Sequence, residues 1–148
     1  MAIWQNIGSY FWGNPSQQSA SSATGQPLCL TITAYRKEGL TEDEYRSYLT
    51  TKHAPLVRPL MEQYGLLKYT ITFNTNSSRK LMGRLFDPQF ANVSDYDAII
   101  QIVFKDVQDF VNMKANPDYK KYVIPDHEQF ADTKRSKMTI GQVVPLLG

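Results

Sequence analysis

The chain has 148 residues, a formal charge of +2, 42% hydrophobic residues and 20% charged ones. That length suits one domain with a substantial core, the composition is globular rather than disordered, and so small a charge gives no reason to expect nucleic acid. A single cysteine, Cys29, excludes an internal disulfide framework and a Cys-rich zinc site, and no apolar run approaches the roughly 18 residues of a membrane helix.

The first segment, "MAIWQNIGSYFWGNPSQQSA", lacks a basic n-region and a continuous apolar stretch, so it does not read as a secretory signal. A cytoplasmic protein is the expectation. Trp4, Tyr10, Phe11 and Trp12 form an aromatic cluster, and "NPSQQSASSATGQP" reads as a flexible linker. Residues 1–27 are thus an aromatic extension and linker, ahead of a folded domain at 28–148.

"LCLTITAYR" alternates, with Leu28, Leu30, Ile32 and Ala34 on one face and Thr31, Thr33 and Tyr35 on the other, which predicts a half-buried strand. Cys29, inside this apolar run, reads as a buried small hydrophobe. Thr41 and Glu44 make a capping box that opens a helix, which Pro55 and Pro59 interrupt or restart and Gly65 ends. "LLKYTITFN" is a second strand, with Leu67, Tyr69, Ile71 and Phe73 on one side. A mixed connection with a short helix leads to "YDAIIQIVFK", the most apolar strand and therefore central. Asp106 and Asp109 suit the first turn of another helix, Phe110 and Met113 can face the core, and Pro117 and Pro125 cut this region into short pieces. "KMTIGQVVPLL" closes the domain as a fourth strand.

The predicted order β-α-β-β-α-β is the ferredoxin-like arrangement of an α+β protein. Its two helices cover one sheet face, and a homodimer closing two sheets into a shared barrel would bury the other.

The chain has two histidines. His53 falls on an apolar stripe with Leu49, Leu56 and Leu60, and has two readings, a satisfied core residue or a catalyst. The Ala54-Pro55 break places it at a helix end, where the C-terminal dipole favours imidazolium while burial opposes it. His127 lies among Asp126, Glu128 and Asp132, either as an oriented base or within a solvated acidic turn. No ligand pair has the spacing of a metal site, and no nucleophile elbow, Walker loop or dinucleotide fingerprint is present.

"YRKEGLTEDEYRSYLTTKHAPLVRPL" resembles the opening signature of the EthD-domain family: a strand, Gly-Leu-Thr, an acidic helix start and His-Ala-Pro-Leu. "NPDYKKYVIPDHEQFADTKRSKMTIG" resembles its second signature, in which a proline-acid turn and the Phe130-x-Asp132 pair precede the last strand. The likeness spans residues 28–147 and is nearest to small fungal decarboxylases or dehydratases of aromatic polyketide pathways. The aromatic extension is not part of that pattern.

The resemblance implies a dimeric α+β barrel that needs no cofactor, with His53 pointing into the barrel cavity and Asp126 and His127 as pocket residues; no metal is expected, on ligand spacing. The expected partner is a small aromatic polyketide, with no role for nucleic acid or membrane. The expected activity is a cofactor-independent lyase. Decarboxylation of an anthrone-carboxylate type of substrate stands narrowly ahead of dehydration. A cofactor-free oxygenase and a non-catalytic aromatic-binding module are the rivals. In this scheme protonated His53 or His127 donates to the ring, and Asp126 holds their charge and geometry. Tyr35, Tyr69, Phe73 and Phe130 would flank the substrate. Arg58, ahead of Arg36 and Arg84, would take a carboxylate unless it is simply solvated at the surface.

Overall fold

Alternating apolar side chains make four strands, and the intervening amphipathic segments make helices that cover one of their faces. The computed structural model describes residues 25–87, 89 and 92–148. The aromatic cluster and most of the linker lie outside the described residues. In chain order the elements are β1 (Leu28–Ala34), α1 (Glu42–Tyr48), a π-helical turn (Leu49–His53), α2 (Ala54–Gln63), β2 (Lys68–Phe73) and α3 (Asn76–Leu81). Next come β3 (Ala98–Phe104), α4 (Val107–Ala115), a second π-helical turn (Tyr119–Val123), α5 (Ile124–Phe130) and β4 (Lys137–Gln142). Among the described residues no helix is long and apolar enough to cross a membrane.

The sheet runs β2-β3-β1-β4, antiparallel throughout. Ile32 of β1 lies opposite Ile100 of β3 and Met138 of β4, and Ile71 of β2 also meets Ile100. This is the ferredoxin-like α+β arrangement, with α3 added between β2 and β3. Because residues two apart share a face, Ile32, Ala34, Ala98, Ile100, Ile102 and Phe104 all turn toward the helices and are buried. Burying a side chain such as Leu49 or Phe104 contributes about 1.5–3 kcal/mol each. The opposite face carries Thr31, Thr70, Gln101 and Thr139 along a broad open trough. Cys29 belongs to this face and is half-buried, not a core residue, because its parity matches Thr31 rather than Leu30.

The first helix begins as its sequence requires. Thr41 accepts from the Glu44 N–H, and the Glu44 carboxylate accepts from the Thr41 N–H, so two orphan donors are satisfied. The far end of the rod that it opens is closed by Gly65 at φ +75°, with the Leu66 N–H reaching the Met61 carbonyl and the Gly65 N–H that of Glu62. Those two bonds make a Schellman motif.

Pro55 does not break the rod. Proline has no N–H to give and its ring crowds the preceding turn, so the ladder slips by one residue: the Ala54 N–H bonds to the Leu49 carbonyl, five residues back. The second rod repeats the device before Pro125, where the Ile124 N–H reaches Tyr119. His53 therefore lies within a continuous rod, not at a helix C-terminus, and no helix-end dipole acts on it.

Candidate active site

Tyr45, Leu49, His53, Val57 and Met61 form a row at intervals of four, and all five are buried. In a regular α-helix such a row drifts by about 40° per step, since four residues overshoot one turn. The widened π turn offsets part of that drift and keeps His53 over the sheet with its neighbours. Tyr119, Val123 and His127 make a similar row on the second rod, again across a π turn, and all three are buried.

The two rows meet in a cavity between the helices and the sheet. The cavity has a volume of about 60 Å³ and is open on one side. It is a narrow slot. Its wall is mostly apolar, includes Met61, Met113 and Met138, and takes polar groups from His53, His127, Tyr69 and Tyr119. Methionines adapt their shape readily, so such a slot can open for a flat guest. The cavity lies in one protomer's helix-to-sheet layer. The sequence expectation of a cavity walled by paired sheets is corrected accordingly: His53 stands on the even-residue side of β1, toward the helices.

At the inner wall, His53 Nδ1 donates to Asp126 Oδ2 at 2.8 Å, and the Tyr48 hydroxyl donates to Asp126 Oδ1 at 2.5 Å. Since a carboxylate accepts only, this pairing fixes the proton of neutral His53 on Nδ1 and leaves Nε2 as its basic atom. Burial pushes the Tyr48 hydroxyl up to about 12, helped by Asp126, so Tyr48 stays a donor. The His53 and His127 rings are 5.0 Å apart between centroids, and Phe130 lies 4.6 Å from His53 and 5.9 Å from His127. Phe130 also contacts Tyr45 and Tyr48, making it the aromatic hub of the site.

Burial lowers the His53 pKa, with Asp126 opposing. Burial lowers His127 more strongly, to about 4, with the nearby His53 adding to the effect and the Ile124 carbonyl opposing it. His127 Nδ1 stands 3.2 Å from that carbonyl, a bond that requires the proton on Nδ1. Burial thus favours the neutral form of both rings. It works against a standing imidazolium donor, while at His53 the Asp126 carboxylate works for it.

The structure brings together His53, His127, Asp126 and Phe130 and places Tyr69 on the cavity wall. Phe73 is on the helix-covered face but packs edge-on against Tyr45, outside the cavity. Tyr35 is on the opposite face, where it donates to Asp95 and lies under the Arg135 guanidinium. Arg58 is 75% exposed in its side chain and pairs with Glu62, while Arg36 pairs with Glu42 and Asp97. Arg84 is exposed after α3. Two contributors were missed. Tyr119 could have been found from its four-residue interval to Val123 and His127. Tyr48 is five residues from His53 and reaches Asp126 only through tertiary packing, so no local signal announces it.

Fold and site together define an α+β protein with a paired-histidine pocket between sheet and helices. The EthD domain matches residues 37–134, and the chain belongs to the EthD-domain family. It is 56% identical over 124 residues to the dehydratase aurZ of Gibberella zeae, covering 82% of each chain. It is 49% identical over 116 residues to the decarboxylase claH of Passalora fulva, covering 78% of this chain and 75% of claH. Among solved structures, an EthD-like protein from Ralstonia eutropha superposes with a TM-score of 0.56 at 13% identity, covering 82% of this chain and 96% of that one, a likeness of fold.

Proposed function

We propose that this protein is a cofactor-independent lyase that dehydrates a hydroxylated aromatic precursor of polyketide type, using His53 as the proton-transfer group. The reading is carried by one observation: Asp126, held by Tyr48, fixes the proton of a neutral, buried His53 on Nδ1 at the wall of an apolar slot. Nε2 takes a proton from a carbon next to a carbonyl, and that electron pair moves toward the carbonyl oxygen. The imidazolium so formed is stabilised by Asp126 and disfavoured by burial, so it gives its proton back readily. It returns it to the hydroxyl on the adjacent carbon as that C–O bond breaks, releasing water and leaving a double bond. Aromatisation drives the step. Positioned proton transfer of this kind contributes about 10²–10⁴-fold, and the desolvated slot strengthens the charge interactions involved.

Neutral imidazoles favour a reaction begun by a base, so dehydration moves ahead of decarboxylation, reversing the order drawn from sequence. The 56% identity to a dehydratase, against 49% to a decarboxylase, points the same way. Decarboxylation stays as the second reading because claH bears that name. The sheet face that no helix covers supports a homodimer closed through that surface.

The test is incubation of the purified protein with hydroxylated polyketide ketones and the matching acids, with products weighed by mass spectrometry. Loss of one water supports the proposal, and loss of carbon dioxide transfers it to the second reading. Gain of an oxygen atom, or binding without turnover, refutes both. His53→Gln is expected to cut turnover by about 100-fold or more with the dimer unchanged in light scattering. Undiminished turnover would remove His53 from the mechanism.

A further inference from the structure

Drawing a proton from the carbon beside a carbonyl puts negative charge on that carbonyl's oxygen. The oxygen then needs hydrogen-bond donors aimed at it. The proton-transfer cluster has none to spare. Asp126 only accepts, from His53 and Tyr48. In their neutral forms His53 and His127 spend their Nδ1 protons on Asp126 and on the Ile124 carbonyl. Ser136, also on the cavity wall, donates to the Asp132 carbonyl and accepts from the Tyr35 N–H.

Two phenols on the same wall are unspent. Tyr69 stands on the helix-facing side of β2, opposite the buried Ile102 of β3. Tyr119 opens the second π turn, lines the cavity and is only 4% exposed. Neither hydroxyl has a hydrogen-bond partner among the described residues. The Tyr45 hydroxyl also lacks one, but it is sealed in the core away from the cavity, whereas Tyr69 and Tyr119 belong to the cavity wall. Burial pushes the Tyr69 hydroxyl up to about 12 and raises that of Tyr119, with Tyr69 contributing to the second shift, so both keep their protons. Resting on the enolising lyase reading, we propose that Tyr69 and Tyr119 are the paired donors that grip the substrate's carbonyl oxygen and hold the charge it gains on enolisation. An unpartnered buried hydroxyl destabilises the empty protein, and the arrival of a ketone oxygen removes that cost. Thr133, the other hydroxyl of the wall, lies in the turn before β4 and is an alcohol, a weaker donor to an oxyanion than a phenol. The substrate class is then a ring ketone with an enolisable neighbouring carbon, and hydrocarbons of the same shape lack the anchor.

The test uses α-tetralone, a bicyclic aryl ketone labelled with carbon-13 at its carbonyl, so that infrared difference spectra report the C=O stretch of the bound molecule. Hydrogen bonds weaken that bond, and in wild type the stretch is expected below its frequency in hexane. Tyr69→Phe and Tyr119→Phe each recover part of the difference, and the double variant recovers nearly all of it. His53→Gln keeps the wild-type frequency but loses the exchange of the hydrogens beside the carbonyl for deuterium in heavy water. With a ketone that turns over, each Tyr→Phe variant lowers kcat by about 10²–10³-fold with little change in KM. Since neither variant strands a partner, both should resist urea at least as well as wild type. An unchanged frequency in both variants, or a shift only in Thr133→Val, would overturn the assignment while leaving the enolising reading standing. Lost stability at an unchanged frequency would mark a structural role and overturn it too. Bound tetralone that never exchanges in wild type would refute enolisation, and with it the charge-holding role, while the frequency alone judges the grip on the carbonyl. If wild type binds no tetralone, the pocket reading falls and the assignment with it.

Discussion

His127 gives the prediction whose size comes most directly from the structure. Its pKa falls from the ordinary 6.5 to about 4, first through burial and then through the neighbouring His53. Above pH 6.5 the ring is neutral in both the folded and unfolded chains, so folding carries no proton penalty. As the pH drops below 6.5 the unfolded chain binds a proton that the folded one refuses, and stability declines until the folded ring also titrates near 4. A shift of that size, at about 1.4 kcal/mol per unit, corresponds to about 3 kcal/mol lost across the window. This is a large part of the roughly 5–15 kcal/mol that holds a domain together. The measurement is urea unfolding of wild type and His127→Gln at fixed protein concentration, at intervals from pH 7.5 to about 4.5. Other groups titrating in the same window are present in both proteins, so the difference between the two curves reports His127 together with its coupling to the neighbouring His53. That difference should shrink by about 2–3 kcal/mol as the pH falls. Parallel curves would refute a buried neutral His127 and, with it, the case for a base-first reaction.

Asp126→Asn removes the charge that stabilises the His53 imidazolium, and turnover should fall by about 10³–10⁴-fold with only a small change in KM. Tyr48→Phe removes one of the two donors to the same carboxylate; about tenfold lower kcat with KM unchanged is the expected result, and a loss confined to KM would contradict a positioning role. Arg58→Ala breaks only an exposed pair with Glu62, so turnover should stay within about twofold and stability within about 0.5 kcal/mol of wild type. A hundredfold loss in Arg58→Ala would return that arginine to the site.

The strands, their faces and the helix boundaries are legible in the sequence because each rests on local physics. Alternation in "LCLTITA" decides which side chains share a sheet face, and the Thr41–Glu44 box and Gly65 bound the first rod whatever surrounds it. Two local inferences fail for reasons outside their own windows. Pro55 reads as a helix break, yet packing against the sheet makes a widened turn preferable to a gap, and the rod continues through His53. Tyr35 alternates with Thr33 on the open face, so its ring is turned away from the slot that its strand helps to wall.

The sequence by itself determined the α+β order and the family to which its signatures belong, and it singled out His53, His127 and Asp126 as candidates. Only tertiary structure joined residues 48, 53 and 126, since a carboxylate 73 positions along the chain from His53 finds it through the packing of two rods. Tertiary structure also supplies the burial that lowers the proton affinity of both imidazoles. A histidine's proton affinity depends on how much water and which charges surround it, and neither is written in its immediate neighbours.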